Sequence, residues 1–356
     1  MSHRAPFLIS SLASDRVPLN YATAALLIRR GLATASILWS RLLWFLIPLA
    51  VCGLAGLAVA CSSPSQSAGA TSAKLSVVTT FYPLQYLAQR IGGERADVTG
   101  LVSPGVEPHD WEPTPQDIMS INKASVFIYQ GAGLEPWAAR TVASLPSDKP
   151  IVVEATEGFA LKPGIPEEEG EGTRAESSDE PVLDPHIWLN PQLYKKQAQA
   201  VRNALVKADP ESEAIYQDNL VSLEKDLDEL DSEMERGLSS CQRHTIVTSH
   251  AAFAYLADRY GLQQLAVTGL SPDAEPSPAR LREIIQQVRD EGANHIFFET
   301  LVSPAISETV AKEVGAQTLV LDPIEGLTLE EITARADYFS VQRQNLANLR
   351  IALGCS

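Results

Sequence analysis

From residue 75 onward, short runs rich in β-branched and aromatic residues alternate with stretches of helical period. The pattern predicts strands over 75–80, 96–102, 126–130 and 151–154, with helices over 83–91, 115–122 and around Trp137 between them. A helix over 192–207 follows. After Asp209-Pro210-Glu211, a cap, proline and first-turn acid in sequence, Tyr216, Leu220, Leu223, Leu227, Leu230, Met234 and Leu238 recur at spacings of four and three. That is one apolar stripe on a helix of about 43 Å, a rigid connector; the competing reading is a coiled-coil seam. Alternation then resumes, with strands over 245–249, 264–268, 295–299 and 317–321. Helices are predicted over 251–260, after Ser277-Pro278, over 304–314 and from about 328 to 349. Strands separated by helices imply parallel sheets with crossover helices. The expected fold is therefore α/β: two similar parallel-sheet lobes joined by one long backbone helix. The boundaries are a leader (1–61), a tether (62–74), a first lobe (75–208), the linking helix (209–238) and a second lobe (239–356).

Two stretches depart from this rhythm. Arg29, Arg30 and Arg41 precede an apolar run over 42–60, the plan of an export signal. Leu57-Ala58-Val59-Ala60-Cys61 resembles a bacterial lipobox, in which Cys61 would be lipidated, although Ala58 stands where a larger aliphatic residue is usual. An uncleaved anchor is the alternative. Either way the folded part lies outside the cytoplasm. Residues 161–184 have few large apolar side chains and a surplus of acids, so they read as a mobile acidic loop inserted in the first lobe.

Composition adds exclusions more than assignments. A hydrophobic content of 45% supports a sizeable core. A net charge of −16, more negative still without the leader, excludes nucleic acid as a partner. Beyond the leader only Cys241 and Cys355 remain. In an oxidising compartment they suit a disulfide, with two buried free thiols as the alternative.

The candidate chemistry sits on proline-fixed loops. His109 lies in Pro104-Gly105-Val106-Glu107-Pro108-His109-Asp110-Trp111-Glu112-Pro113-Thr114-Pro115, where prolines stiffen the backbone on both sides and Thr114-Pro115 reads as a helix cap and first position. His186 lies in Asp184-Pro185-His186-Ile187-Trp188-Leu189-Asn190-Pro191. In open parallel sheets ligands gather beyond the carboxyl ends of the strands, where His250 and Asp322 fall. Two candidates from each lobe can thus meet in one cleft, and three imidazoles with a carboxylate suffice for tetrahedral Zn²⁺. His244 and His295 start strands at the opposite end and read as structural. Glu299 ends a strand on the ligand side and is expected to orient an imidazole. Trp111 and Trp188 are expected to pack around the site and exclude water.

These motifs, with Thr248-Ser249-His250-Ala251-Ala252-Phe253, Leu321-Asp322-Pro323 and the loop from Gly269 to Ser277, resemble the zinc/manganese substrate-binding lipoproteins of ATP-binding-cassette importers. The resemblance covers about residues 75–355. It implies metal at the lobe interface with His109, His186, His250 and Asp322 as ligands, a permease in the cytoplasmic membrane as partner, a lipid anchor, and a monomer. Manganese-binding members usually carry glutamate where His250 stands, so zinc leads and Mn²⁺ is the alternative ion. Capture needs neutral imidazoles, so affinity is expected to fall through histidine titration near pH ~6.5. Readings of another class are a zinc hydrolase with Glu299 as base, for which no His-Glu-x-x-His helix is present, and a surface adhesin.

Overall fold

The computed structural model describes residues 73–147, 150–165 and 181–356. Cys61, the leader, most of the tether and the acidic centre of the inserted loop lie outside the described residues.

The first lobe is a parallel sheet of β1 (Leu75–Thr79), β2 (Ala96–Gly100), β3 (Val126–Tyr129) and β4 (Ile151–Glu154), in the order β2-β1-β3-β4. β3 is buried at every position, as a central parallel strand covered on both faces must be. The crossovers carry α1 (Tyr82–Gly92), α2 (Pro115–Lys123) and α3 (Ala138–Ser144), and α4 (Pro191–Ala208) closes the lobe. α2 starts as its sequence predicts. Thr114 and Asp117 form a reciprocal capping box, with Pro115 in the first turn.

α5 (Glu213–Leu238) is the connector, and its stripe is wholly consumed inside the molecule, against α1, α4 and the last helix. The coiled-coil reading fails for that reason. One polar residue interrupts the stripe: buried Asp231 accepts from Arg259 Nε (3.0 Å) and Nη2 (2.6 Å), from the Tyr260 hydroxyl (2.9 Å) and from Gln192 Nε2 (2.9 Å). Four donors on a buried carboxylate make it a satisfied node between α4, α5 and the segment after His250.

The second lobe pairs β5 (Thr245–Thr248) with β6 (Gln263–Ala266) and β7 (His295–Phe298) with β8 (Gln317–Val320), all parallel, with β5 against β7. Its helices are α6 (Ala254–Arg259), α7 (Pro278–Asp290), α8 (Ala305–Val314), α9 (Leu329–Thr333) and α10 (Tyr338–Leu353). Two expectations need correction here. α6 begins three residues late, because Gln264 holds residues 250–253 in a loop, donating to the His250 carbonyl (2.9 Å) and accepting from Phe253 N (3.1 Å). The single last helix is two, because Arg335 takes a left-handed φ of 58° and Asp337 opens α10 with its own capping box on Ser340.

The insertion is also less free than its composition suggested, at least at its neck. Gly164 N donates to the Val182 carbonyl (2.8 Å) and Asp184 N to the Lys162 carbonyl (2.9 Å), zipping residues 162–164 to 182–184.

Cys241 and Cys355 form a disulfide across 114 residues, fastening the end of α10 to the end of α5. A loop of that length constrains the unfolded chain by about 4–5 kcal/mol in the chain-entropy treatment. Replacing both cysteines by serine is expected to lower unfolding stability by about 2–5 kcal/mol, seen as a lower urea midpoint with an intact folded spectrum.

Candidate metal centre

Each of the three histidine loops is folded by a carboxylate of its own sequence neighbourhood or of an adjacent strand. Beyond β2, Glu107 accepts from the backbone N–H of His109 (2.9 and 3.0 Å) and of Asp110 (3.3 Å), so the loop curls around its own side chain. Burial pushes the Glu107 carboxyl up to about 7. Ahead of α4, Asp184 Oδ1 accepts from His186 N (2.9 Å) and lies 2.8 Å from His186 Nδ1. Beyond β5, Glu299 Oε1 lies 2.5 Å from His250 Nδ1 and also accepts from the Ser249 hydroxyl. A carboxylate on Nδ1 fixes the imidazole tautomer and leaves Nε2 to face inward. Glu299 stands against His250 in this way. Asp184 plays the equivalent part for His186, and sequence reasoning quoted it without giving it that part.

The inward nitrogens converge on one oxygen. Glu325 Oε1 is 3.3 Å from His109 Nε2, 3.2 Å from His186 Nε2 and 3.5 Å from His250 Nε2, and the last two nitrogens are 3.4 Å apart. The four ligand-type atoms all lie within 4.8 Å of one another. His186 and His250 are inaccessible, Glu325 is buried, and His109 retains about 10% of its side-chain exposure. His109 is thus the member at the mouth. A separate group of carboxylates, Glu107, Asp110 and Asp273, lies near that mouth.

Asp322 is not the fourth member. Its carboxylate is spent on its own turn and on the loop after β7: Oδ1 accepts from Ile324 N (2.6 Å) and Oδ2 from the Thr300 hydroxyl (2.9 Å). Asn345 clamps the Asp322 backbone on both sides, at 2.9 and 2.7 Å. The clamp holds Ile324 at φ 57°, an unfavourable conformation for a β-branched residue, and that turn delivers Glu325 to the cluster. Burial pushes the Asp322 carboxyl up to about 7, against the two hydrogen bonds it accepts.

The tryptophans divide. Trp188 is fully buried, packs edge-on to Phe81 (4.9 Å between centroids) and donates its indole N–H to the Pro323 carbonyl (2.7 Å), bracing the Glu325 loop against the His186 loop. Trp111 packs on Trp137 beside the first sheet. His295 lies outside the cluster, 2.9 Å from the Asn294 side chain.

The electrostatics follow from two buried imidazoles and one at the mouth around a single buried carboxylate. Burial alone would lower His186, but Asp184 and Glu325 outweigh it and raise its affinity for a proton. Burial likewise opposes a proton on His250, and Glu299 with Glu325 overcome that opposition, holding the ring well above the ordinary histidine value. Glu325, against its own burial, is drawn well below the ordinary carboxylate range by His109, His186 and His250. The cluster favours positive charge on the His186 and His250 rings and negative charge at the centre, and a cation can replace the protons.

Fold and site together define a class: a two-lobed α/β protein whose lobes share one caged imidazole–carboxylate cluster. The family described as ZnuA, zinc-uptake complex component A periplasmic, matches residues 77–352, and the chain belongs to it. The zinc-binding lipoprotein AdcA of Streptococcus pneumoniae R6 is 38% identical over 292 residues, which cover 82% of this chain and 58% of that protein. The chain thus spans little more than half that relative's length. The high-affinity zinc uptake system protein ZnuA of Bacillus subtilis strain 168 is 36% identical over 308 residues, 86% of this chain and 97% of that one. The crystal structure of the Zn(II)-bound ZnuA-like domain of S. pneumoniae AdcA matches with a TM-score of 0.67 at 35% identity, covering 79% of this chain and 99% of that one.

Proposed function

We propose that this chain is an extracytoplasmic binding protein that captures one Zn²⁺ with His109, His186, His250 and Glu325 and delivers it to the permease of an ATP-binding-cassette importer, without catalysis. The observation that carries the reading is the spacing of the four ligand atoms. A tetrahedral Zn²⁺ with ligands at about 2.0–2.1 Å requires edges of about 3.3–3.4 Å between them. Four of the six edges here run from 3.2 to 3.5 Å, and the remaining two, from His109 to His186 and to His250, lie within 4.8 Å. Manganese prefers an octahedral, oxygen-rich shell, for which three imidazoles and one carboxylate are poorly suited. The names borne by the relatives point to the same ion.

Capture exchanges the ring protons for the metal. Asp184 and Glu299 keep the His186 and His250 nitrogens aimed, and Glu325 supplies the negative charge that offsets part of the ion's own. A leader ending at Cys61 places this cage outside the membrane on a lipid anchor, where the acidic surface favours cation encounter. Competitive titration tests the ion. The purified chain is expected to bind one equivalent of Zn²⁺ and to keep it against a hundredfold excess of Mn²⁺. Displacement by equimolar Mn²⁺ would reverse the assignment.

A further inference from the structure

His186 arises from the first lobe, yet the segment that carries it is suspended between both. The Pro185 carbonyl accepts from Gln130 Nε2 (2.5 Å), a first-lobe side chain itself tied to Gln197 (2.9 Å). The preceding carbonyl, that of Asp184, accepts from the hydroxyl of Tyr255 (2.9 Å). Tyr255 belongs to α6 of the second lobe, five residues past His250, and is 3% exposed. The same hydroxyl accepts from the backbone N–H of Lys162 (2.8 Å), in the other strand of the neck. One oxygen thus joins the second lobe to both strands of the neck, at the residue whose carboxylate aims the His186 ring. Burial pushes the Tyr255 hydroxyl up to about 12, so it remains a donor at any working pH.

We propose that the Tyr255 hydroxyl is a positioning group for the metal cage, registering α6 on Asp184 and through it setting the His186 imidazole relative to His250 and Glu325. This rests on the reading of the cluster as a metal site. The chemistry is indirect. A ring nitrogen displaced by a few tenths of an ångström from its vertex makes a longer and weaker bond to the ion, and loss of such outer contacts typically costs 10- to 100-fold in affinity. If the tyrosine served only as core packing, its ring would matter and its hydroxyl would not.

Tyr255→Phe, Asp184→Asn and the double variant separate these cases in the full chain. Zn²⁺ affinity by chelator competition is expected to fall about tenfold in Tyr255→Phe and about 10- to 100-fold in Asp184→Asn. The double variant is expected to be no weaker than Asp184→Asn by more than about twofold, because both changes act through one carboxylate. With Co²⁺ as the probe, the visible absorption of the tetrahedral complex is expected to shift in Tyr255→Phe. Unchanged Zn²⁺ affinity and Co²⁺ spectrum in a folded Tyr255→Phe, or effects that multiply in full, would overturn the proposal. Should that variant not fold, amide exchange on the unaltered chain decides. Zn²⁺ is expected to slow exchange at the Lys162 amide about tenfold or more, and no change there would count against the idea. An unaltered chain that binds neither Zn²⁺ nor Co²⁺ would sink the metal reading itself, an outcome distinct from a variant indistinguishable from a zinc-binding parent.

Discussion

Replacing Glu325 by glutamine is expected to lower Zn²⁺ affinity by about 10²- to 10³-fold, whereas Asp322→Asn is expected to cost about tenfold or less. Glutamine keeps the volume and one oxygen but removes the negative charge that, among the described residues, touches all three imidazoles. Truncating one partner of a buried charged contact typically costs about 2–5 kcal/mol, and each 1.4 kcal/mol is tenfold. Asp322 acts on the metal through the Ile324 turn, so its replacement is expected first in stability, by about 1–3 kcal/mol, because asparagine keeps an acceptor for the Ile324 amide but turns a donor towards the Thr300 hydroxyl. Chelator competition and urea unfolding on the two variants check both halves. A larger affinity loss in Asp322→Asn than in Glu325→Gln would restore the aspartate as ligand.

The two acids illustrate what a sequence can show here. β1, β3 and β5 were legible because each is a short run rich in β-branched or aromatic residues, and β3, buried at every position, has little freedom of composition. The three histidines were legible because prolines or strand ends fix their loops. Asp322 drew the assignment because it is the first acid beyond β8, where ligands of parallel sheets collect. Glu325 sits three residues further on, and it points inward only because Ile324 adopts a left-handed backbone. No propensity places a β-branched residue there. It is imposed by contacts with Asp322, Thr300 and Asn345, remote in sequence from one another. The break between α9 and α10 was readable in principle, since Asp337 and Ser340 have the spacing of a capping box. The start of α6 was not, because it depends on Gln264 reaching across from β6. Asp184 was visible in its motif, but only the folded neck reveals that its carboxylate turns back on His186.

The same electrostatics that assemble the cluster make zinc capture steeply pH-dependent. His186 and His250 both hold protons more tightly than an ordinary imidazole, because the carboxylates of Asp184, Glu299 and Glu325 outweigh the burial that would expel charge. The decline in affinity is therefore expected to begin above the ordinary histidine value of about 6.5, not at it. If Zn²⁺ displaces both protons, log K falls by up to about 2 for each pH unit, or about 10⁴-fold from pH 8 to pH 6; displacement of one gives about 10²-fold. Stability of the metal-free chain runs the opposite way. Groups whose folded pKa is raised add stability fully present below the unfolded value of about 6.5 and lost as pH rises through the folded one. Glu325, drawn down, adds stability present above about 4.3 and lost as pH falls through its lowered value. The contribution of His186, His250 and Glu325 to the metal-free melting temperature is thus greatest between about pH 4.3 and 6.5, while the increment added by Zn²⁺ grows as pH rises. Thermal melts at acidic, neutral and alkaline pH, with and without Zn²⁺, measure both trends at once. A zinc increment that does not change with pH would mean the imidazoles are already neutral in the metal-free chain, and that Glu325 faces them without the charge its surroundings imply.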